Sequence, residues 1–237
     1  MLDFDFEPDF PAWARRLCVF DLETTGLNLS TARIVTACVA IIDATGELEA
    51  PALELLVNPG IEIPPEAAAV HGVTTETARE NGLEPEVAIS KLLASLADAL
   101  AAGVPLLAFN APYDFTILLH EANRYSIEPI DPTPVIDPLV LDRKVNKFRK
   151  GKRNLGVLTA DYGVKLTDAH NSTADAIAAG RLAQAMARKY PELNIPVTQL
   201  HELQKIWSEE QSLDFAKFMK SQRPDFEPEL GWPVRLT

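Results

Sequence analysis

The chain has 237 residues, of which 47% are hydrophobic and 24% are charged, and its formal net charge at pH 7 is −12. This length fits one large domain, or one domain plus a tail, with the apolar content of a globular protein. The negative charge argues against a general nucleic-acid coating protein, which is usually basic. No apolar run approaches the ~18 residues of a membrane-spanning helix, so no membrane association is expected.

The N-terminus and the cysteines indicate a reducing environment. Residues 1–7 are acidic and lack the basic start of a secretory signal. The two cysteines, Cys18 and Cys38, lie in apolar runs, which favours small core residues over a disulfide or a zinc site. A cytoplasmic location is therefore expected.

The first half of the chain predicts a sheet. After a polar lead-in over 1–13, residues 17–23 are apolar on both sides, which is typical of a strand buried on both faces. A β-branched run at 33–43 and a turn at 43–46 lead into a third strand that ends near Val57. This short connection predicts an antiparallel hairpin.

Strands and helices alternate in the rest of the chain, which predicts an α/β fold. An almost wholly apolar strand over 104–109 is expected to be central. A further short strand is predicted over 134–137, and a loop over 165–168. Helices are predicted at about 66–70, 75–81, 85–102, 112–124, 154–162, 172–189 and 198–220.

Four carboxylates occur where predicted strands end or helices begin. Asp21 and Glu23 end the first strand, and their i, i+2 spacing places them on the same side. Asp114 lies in the first turn after the central strand, and Asp175 opens a late helix. Such positions meet at the carboxyl ends of the strands, where the carboxylates would repel one another without a cation. Four carboxylates can hold two divalent ions for a phosphoryl displacement.

A histidine precedes the last of these acids. On one continuous helix, His170 and Asp175 would lie ~140° apart, so His170 is placed in the preceding loop, with Ser172 as the helix cap. An imidazole with an ordinary pKa of about 6.5 can take a proton from water at neutral pH. The set of residues predicts hydrolysis of a phosphodiester.

Each of these residues has a structural alternative when it is taken alone. Asp21 and Glu23 could be a solvated strand end, and Asp114 could compensate a helix dipole. Asp175 completes a Ser-x-x-Asp capping-box pattern, and His170 could be a simple loop histidine. The convergence of all five at one rim favours a functional site.

Three stretches resemble the three exonuclease motifs of the DEDDh 3′–5′ exonucleases, the DnaQ-like family that includes the proofreading ε subunit of bacterial DNA polymerase III. The resemblance covers about residues 14–190 and includes Val70-His71-Gly72-Val73-Thr74, between the first two motifs. The motifs are Phe20-Asp21-Leu22-Glu23-Thr24-Thr25-Gly26-Leu27, Asn110-Ala111-Pro112-Tyr113-Asp114 and His170-x4-Asp175.

The resemblance implies a ribonuclease H-like fold, with a mixed five-stranded sheet flanked by helices on both faces. It implies that nucleoside 5′-monophosphates are released from a 3′ end, and that His170 is the general base that activates water. The implied ligands of two Mg²⁺ or Mn²⁺ ions are Asp21, Glu23, Asp114 and Asp175. The implied contacts to the terminal nucleotide are the backbone of Thr24 and Thr25, the side chain of Leu27, and Asn110.

Two departures from the family pattern complicate the transfer of substrate preference. Phe109 stands where many members have histidine, so packing would replace a polar contact there. Residues 171–173 are all small and polar, whereas the third motif often has a bulkier residue. Neither departure removes a predicted metal ligand or the predicted base.

Residues 143–153 form a basic segment that holds seven of the 22 lysines and arginines. Such contacts to a phosphate backbone are independent of sequence, and the alternative is a solvated basic face. Phe148, within the segment, could stack on a base or be buried. The candidate nucleic-acid contacts are Lys147, Arg149, Lys150, Lys152 and Arg153.

Residues 191–237 are predicted to be a helical extension that packs on the domain and on the N-terminal segment. The alternative is a partner-binding arm, because Gln211-Ser212-Leu213-Asp214-Phe215 faintly resembles peptides that dock on sliding clamps. Association with a polymerase or a clamp is therefore an open possibility, although the helical pattern argues against an exposed peptide.

The function favoured by these residues is a metal-dependent 3′–5′ exonuclease acting on single-stranded DNA or frayed DNA ends. The nearest alternative is a 3′–5′ exoribonuclease, because these motifs do not reveal recognition of a 2′-hydroxyl. A nucleotide-sugar transferase with Asp21-Leu22-Glu23 as a metal clip would leave His170 and Asp175 without a role. A non-catalytic, nuclease-like binding module conflicts with the presence of all five site residues.

Overall fold

The computed structural model describes residues 10–166 and 170–236. The lead-in over residues 1–9 and part of the predicted loop, residues 167–168, lie outside the described residues. The strands are β1 (Leu17–Thr24), β2 (Ile34–Ile42), β3 (Leu53–Leu56), β4 (Leu106–Leu107) and β5 (Val135–Ile136). The α-helices are α1 (Pro65–His71), α2 (Thr75–Asn81), α3 (Pro85–Ala101), α4 (Ala111–Arg124), α5 (Pro138–Val145), α6 (Leu155–Asp161), α7 (Ser172–Lys189) and α8 (Val197–Lys220).

The strands form one mixed sheet in the order β3-β2-β1-β4-β5. β1 pairs antiparallel with β2 and parallel with β4, and β2 and β3 form the predicted antiparallel hairpin. The predicted five-stranded α/β architecture is confirmed. In this order β1 is central, and its carboxyl end lies beside the carboxyl end of β4.

The last two strands are shorter than their sequences predict. Pairing is limited to Leu106 and Leu107, which lie between β1 and β5. Pro105 and Pro134 immediately precede β4 and β5, and neither can donate a ladder hydrogen bond because proline has no N–H. After Leu107 the chain turns into α4, so the apolar residues over 104–109 are buried without forming a long strand.

The sheet is covered on both faces. Phe20 and Leu22 of β1 pack in the core formed with α3 and α4. Leu17 and Val19, which alternate with them, pack in the core on the side of α7. Because side chains alternate along a strand, this register directs Asp21 to the same side as α7.

Helix α8 covers the open edge of the sheet. The Val135 N–H donates to His201 Nδ1 at 3.0 Å, and the Asp137 N–H donates to Gln204 Oε1 at 2.8 Å. Gln204 Nε2 in turn donates to the Val135 carbonyl at 3.0 Å. Two buried side chains of α8 thus satisfy backbone groups of edge strand β5. The C-terminal helix shares a core with the sheet, whereas a domain division at residue 190 stays a prediction.

Two composition-based predictions concern the cysteines and the membrane. Cys18 and Cys38 are buried free thiols, as expected of core residues. Among the helices described, none combines the length and apolar character that crossing a bilayer would require.

Helix α7 lies unusually close to the sheet at Gly180. A Cβ atom there would come within 2.5 Å of Val19 Cγ1 and of Ile42 Cδ1. We expect Gly180→Ala to lower the free energy of unfolding by about 1–2 kcal/mol, because overpacking costs ~1–3 kcal/mol and alanine recovers up to ~1 kcal/mol of helix propensity. Urea denaturation followed by circular dichroism measures the difference.

Gly156 offers a matched control for this substitution. It is also helical, in α6, but a Cβ atom there would meet nothing within 4 Å. Gly156→Ala should leave stability unchanged or raise it by up to ~1 kcal/mol. Equal changes in the free energy of unfolding for the two substitutions would show that the close approach of α7 to the sheet does not make Gly180 sensitive to an added methyl group.

Candidate active site

The third motif lies against the end of β1. One potential ligand atom from each of Glu23, His170 and Asp175 lies within 4.8 Å of the others. Glu23 is the penultimate residue of β1, and Asp175 lies in the first turn of α7. The close packing of α7 on the sheet therefore brings together residues about 150 positions apart in the sequence.

Asp21 connects this group to the second motif. Burial raises the pKa of the Asp21 carboxyl well above its usual range, and repulsion from Asp114, Glu23 and Asp175 raises it further. All four predicted carboxylates therefore belong to one electrostatic cluster. Burial also raises the pKa of Asp114 strongly, and it raises that of Glu23 to about 7.

Asp114 is held in place by the backbone of β1. Its side chain is 3% exposed, and its Oδ1 atom accepts a hydrogen bond from the Leu22 N–H at 3.0 Å. The bond joins the first turn of α4 to the strand segment between Asp21 and Glu23. It sets the position of the second motif relative to the first.

His170 lies in the loop before α7, as predicted. Its φ angle is 70°, and its backbone N–H donates to Asp175 Oδ2 at 3.1 Å. Its side chain is exposed, so solvent reaches the imidazole. The prediction that Ser172 caps α7 is wrong: Asn171 is the cap, accepting from Thr173 N and Ala174 N, because Ser172 is already helical and buried.

The turn after β1 combines buried threonines with one exposed leucine. The Thr24 hydroxyl donates to the Gly26 carbonyl at 2.9 Å and lies 2.5 Å from the Tyr113 hydroxyl of α4. Thr25 Oγ1 accepts from the Arg33 N–H at 3.0 Å. These bonds fix the turn, whereas the Leu27 side chain is 87% exposed beside the carboxylate cluster. An apolar side chain so exposed is available to a bound ligand.

Asp137 has a positioning role that the sequence analysis did not assign. Its carboxylate accepts hydrogen bonds at 2.9–3.2 Å from four N–H groups. The donors are the backbone N–H groups of Asn110, Ala111 and Leu139 and the indole N–H of Trp232. Asp137 thus holds the N-termini of α4 and α5 and the C-terminal tail. The Asp-Pro pair at 137–138 signals the α5 cap, but the other donors are distant in sequence.

The predicted basic contacts divide into two groups. The exposed lysines are Lys147, Lys150 and Lys152. Arg149 instead pairs with Asp161, and Arg153 pairs with the buried Asp142 and donates to backbone carbonyls at the end of α5. The acidic partners neutralise the charges of these two arginines, and the hydrogen bonds of Arg153 stabilise the conformation of the segment.

Phe148, in the same segment, is 90% exposed, so the alternative prediction that this side chain is buried is wrong.

The clamp-like stretch 211–215 is helical and lies within α8, where Gln211 Nε2 donates to the Val140 carbonyl at 3.1 Å. This stretch is therefore helical and not extended, although Leu213 and Phe215 are exposed on the helix surface.

The carboxylate cluster matches the requirements of hard divalent cations. Its four acidic side chains offer oxygen ligands only, which suits Mg²⁺ or Mn²⁺. Mutual repulsion and burial raise the pKa values of Asp21 and Glu23, so the bare cluster is electrostatically unfavourable. Positive charge placed between the carboxylates would remove this cost.

The comparisons with known proteins agree with this geometry. The sequence profile of the Exonuclease family of the RNase T type matches residues 18–183. The chain is 30% identical over 181 residues to a DNA polymerase III subunit epsilon-like protein of Rhodobacter capsulatus, covering 74% of this chain and 24% of that protein. It is 29% identical over 152 residues to the DNA polymerase III subunit epsilon of Rickettsia prowazekii, covering 63% of each.

Solved structures show the same fold. E. coli exonuclease I in complex with a dT13 oligonucleotide superposes with a TM-score of 0.64 at 19% identity, covering 75% of this chain and 42% of that chain. A moderately thermophilic exonuclease I from Methylocaldum szegediense gives a TM-score of 0.62 at 18% identity, covering 86% and 45%. The chain spans less than two thirds of the length of each of these relatives.

The family match covers most of the chain, and all three motifs lie inside it. The protein belongs to the Exonuclease family of the RNase T type and carries the motifs of its DnaQ-like DEDDh members. The predicted family and fold are confirmed.

The raised pKa of Glu23 predicts a pH dependence of metal binding. The metal-free folded protein retains a proton at Glu23 up to about pH 7, whereas the unfolded chain loses it near 4.5. The free energy of unfolding of the metal-free protein should therefore decrease as the pH rises from about 4.5 to about 7, because the folded state binds more protons over this range. Because the cation binds the ionised form, Mn²⁺ should raise Tm more at about pH 7.5 than at about pH 5.5.

Differential scanning fluorimetry with Mn²⁺ or EDTA measures this difference. Glu23→Gln should flatten the pH dependence of Tm in EDTA, and Glu66→Gln, an exposed glutamate of α1, should not change it. An equal gain in Tm from Mn²⁺ at both pH values would contradict the assignment of Glu23 as a ligand with a raised pKa.

Asp137→Asn tests the role of the buried carboxylate. Asparagine has a single acceptor oxygen, and its NH₂ group would face two N–H donors. We expect a loss of about 2–4 kcal/mol of stability, because buried donors are left unsatisfied, and reduced activity, because α4 carries Asp114. Denaturation and activity should be compared with Asp98→Asn, an exposed site on α3 that should stay within ~0.5 kcal/mol of wild type. Wild-type stability and activity for Asp137→Asn would refute the role.

Proposed function

We propose that the protein is a metal-dependent 3′–5′ exonuclease that hydrolyses single-stranded or frayed DNA ends to nucleoside 5′-monophosphates. The observation that carries this proposal is the cluster of four carboxylates at the end of β1 with His170 beside two of them. Membership of the exonuclease family supplies the reaction class.

Each side chain of the cluster has a role that follows from its position. Asp21, Glu23, Asp114 and Asp175 would hold two divalent ions, Mg²⁺ or Mn²⁺. When bound, such ions stabilise the negative charge on the attacking and leaving oxygens of a phosphodiester. Because Asp114 is buried and tied to Leu22, its carboxylate is oriented before substrate binds.

His170 is proposed as the general base. It is exposed to water and lies within reach of the carboxylates of Glu23 and Asp175. Neutral imidazole can accept the proton of the attacking water and pass it to solvent. The bond between the His170 N–H and Asp175 Oδ2 fixes the loop that presents the ring.

The substrate grip is proposed from exposure and charge. Leu27 would pack against the terminal base, and the backbone of Thr24 and Thr25, together with Asn110, would line its sugar and phosphate. The basic segment would contact the strand further along, through the exposed lysines Lys147, Lys150 and Lys152 more than through the paired Arg149 and Arg153; of these lysines, Lys147 lies 3.9 Å from Asp214 in an exposed ion pair.

DNA is favoured over RNA by the relatives. The similar exonuclease I structures include complexes with DNA oligonucleotides, and the sequence relatives are polymerase III ε subunits. A role beside a polymerase or a clamp, and a cytoplasmic location, are part of the proposal on the same grounds. The alternative is an exoribonuclease with the same chemistry.

A gel assay tests this function. Single-stranded DNA and RNA of one sequence, each labelled at the 5′ end, are incubated with Mg²⁺, Mn²⁺ or EDTA. We expect a ladder that shortens from the 3′ end on DNA and only with metal. Asp21→Ala and Asp175→Ala should abolish hydrolysis and weaken Mn²⁺ binding in calorimetry, whereas His170→Ala should lose activity by ~10²-fold or more and keep Mn²⁺ binding.

The outcomes separate the alternatives. A ladder on RNA alone would support the same hydrolytic chemistry, with RNA in place of DNA as the substrate. Unchanged Mn²⁺ binding in both aspartate variants would remove the metal assignment. Intact substrates with every metal would favour a nuclease-like binding module.

A further inference from the structure

A cavity of about 170 Å³ lies between the C-terminal tail and the end of the sheet that carries the carboxylates. Its walls come from Asn110, from α5, from α8 and from residues 226–235 of the tail. The charged and aromatic residues that line it, together with Asn110, are Arg143, Phe215, Phe226, Glu229 and Arg235. The cavity is partly open to solvent and has no assigned role.

Arg143 brings a positive charge without a direct ion pair to this cavity. Among the described residues, no hydrogen bond or ion pair holds its guanidinium, and the carboxylates of Asp137 and Asp142 attract it at longer range. The hydrogen bonds of these carboxylates go to other groups, since Asp142 is bound by Arg153 and Tyr162 and Asp137 by four N–H groups. An arginine on a cavity wall whose N–H donors have no acidic partner can bind a phosphate.

The tail adds a second arginine with a fixed position. Arg235 pairs with Glu229 at 3.2 Å, and its side chain also donates to two backbone carbonyls of the tail. The Arg235 N–H donates to Thr116 Oγ1 of α4 at 2.9 Å, which anchors the tail to the helix that carries Asp114. Two arginines therefore line one cavity in a protein of net charge −12, and of these two only Arg235 has a direct acidic partner among the described residues.

The cavity also has aromatic walls. The rings of Phe215 and Phe226 meet edge to face, with centroids 5.6 Å apart, and Phe215 is 54% exposed. Aromatic rings beside arginines are the combination that binds single-stranded nucleic acid, because the rings stack on bases while the cations contact phosphates.

The cavity lies close to the catalytic centre along one helix. Asn110 lines the cavity directly before α4, and Asp114 follows four residues later, a rise of about 6 Å along a helix axis. That distance is comparable with one nucleotide of an extended strand. A strand with its 3′ end at the carboxylates can therefore reach the cavity.

We propose that this cavity binds a nucleotide of the substrate strand on the 5′ side of the scissile bond, with its phosphate at Arg143 and Arg235 and its base against Phe215. The proposal rests on the proposed exonuclease function and adds a subsite built by the C-terminal tail. Arg143 and Phe215 act here in strand binding and do not contact the reacting phosphate.

Arg143→Gln tests the subsite with little risk to folding, because the side chain has no structural partner in the described residues. Two substrates are compared in Mg²⁺: the oligonucleotide dT10, which can reach the cavity, and thymidine 5′-p-nitrophenyl phosphate, which cannot. We expect KM for dT10 to rise about tenfold, the effect of one charge-assisted hydrogen bond. The kcat on dT10 and hydrolysis of the small ester should stay within about twofold of wild type.

Two further measurements separate a phosphate contact from a structural effect. The slope of log(kcat/KM) for dT10 against log salt should fall by about one in Arg143→Gln. Lys91→Gln, which removes an exposed charge on α3, should leave that slope and KM unchanged. Phe215→Ala should raise KM for dT10 by about fivefold or more through lost stacking.

Wild-type KM and salt dependence in Arg143→Gln would overturn the proposal, and so would equal losses on dT10 and the small ester. Fluorescence anisotropy of labelled dT10 in Ca²⁺ measures strand binding without cleavage, and it distinguishes failure of the exonuclease function from failure of the subsite. If the wild type binds dT10 but cleaves neither substrate, the function fails, and weaker binding by Arg143→Gln still supports the subsite. If the wild type neither binds nor cleaves, both proposals fail.

Discussion

Mutual repulsion of four carboxylates is the constraint on which this structure depends. Asp114 is buried and Asp21 is half-buried, and repulsion between the neighbouring carboxylates raises the pKa of both groups beyond the effect of desolvation. Three contacts hold the acidic groups together against this cost: the close packing at Gly180, the bond from Leu22 to Asp114, and the cap at Asp137. Packing of the hydrophobic cores thereby offsets the repulsion between the carboxylates, and the resulting cluster of negative charge attracts cations.

The elements near the site could be predicted because their signals are local. A run of residues that is apolar on both sides identified β1, and Pro112 of the second motif located the start of α4. The order of the three motifs then specified which strand ends meet, because α/β sheets place such ends at one rim. The sequence thus predicted that these five residues meet at one rim, and the structure brings them together there, while their catalytic roles stay a prediction.

What sequence reasoning missed depends on contacts between distant segments. Asp137 gathers N–H groups from α4, α5 and Trp232, and no local pattern links these three places. Arg153 lies in a basic segment and was therefore predicted to contact phosphate. Its ion pair with Asp142 forms only when α5 and the following loop fold together, so the sequence does not reveal it. The cap of α7 was misplaced by one residue because Asn171 and Ser172 are both good caps and packing decided between them.

The distribution of charge suits an enzyme that must hold a polyanion without binding it everywhere. The overall charge of −12 would repel a nucleic acid from most of the surface, while residues 143–153 provide a local group of exposed lysines and Arg143 lines the cavity beside Asn110. Such a field favours approach of the strand in one orientation and its release after cleavage. Phe148 and Leu27 are exposed apolar side chains, and contacts that they made under the proposed function would not be screened by salt.

The side chains of α8 that close the edge of β5 have a consequence for how the protein meets other molecules. An open edge strand pairs readily with strands of other chains, which leads to aggregation or to recruitment of extended peptides. His201 and Gln204 occupy the hydrogen-bonding groups that such a strand would use. On this side of the sheet, recognition must therefore proceed through side-chain surfaces, and sheet extension from one chain to another is blocked at β5.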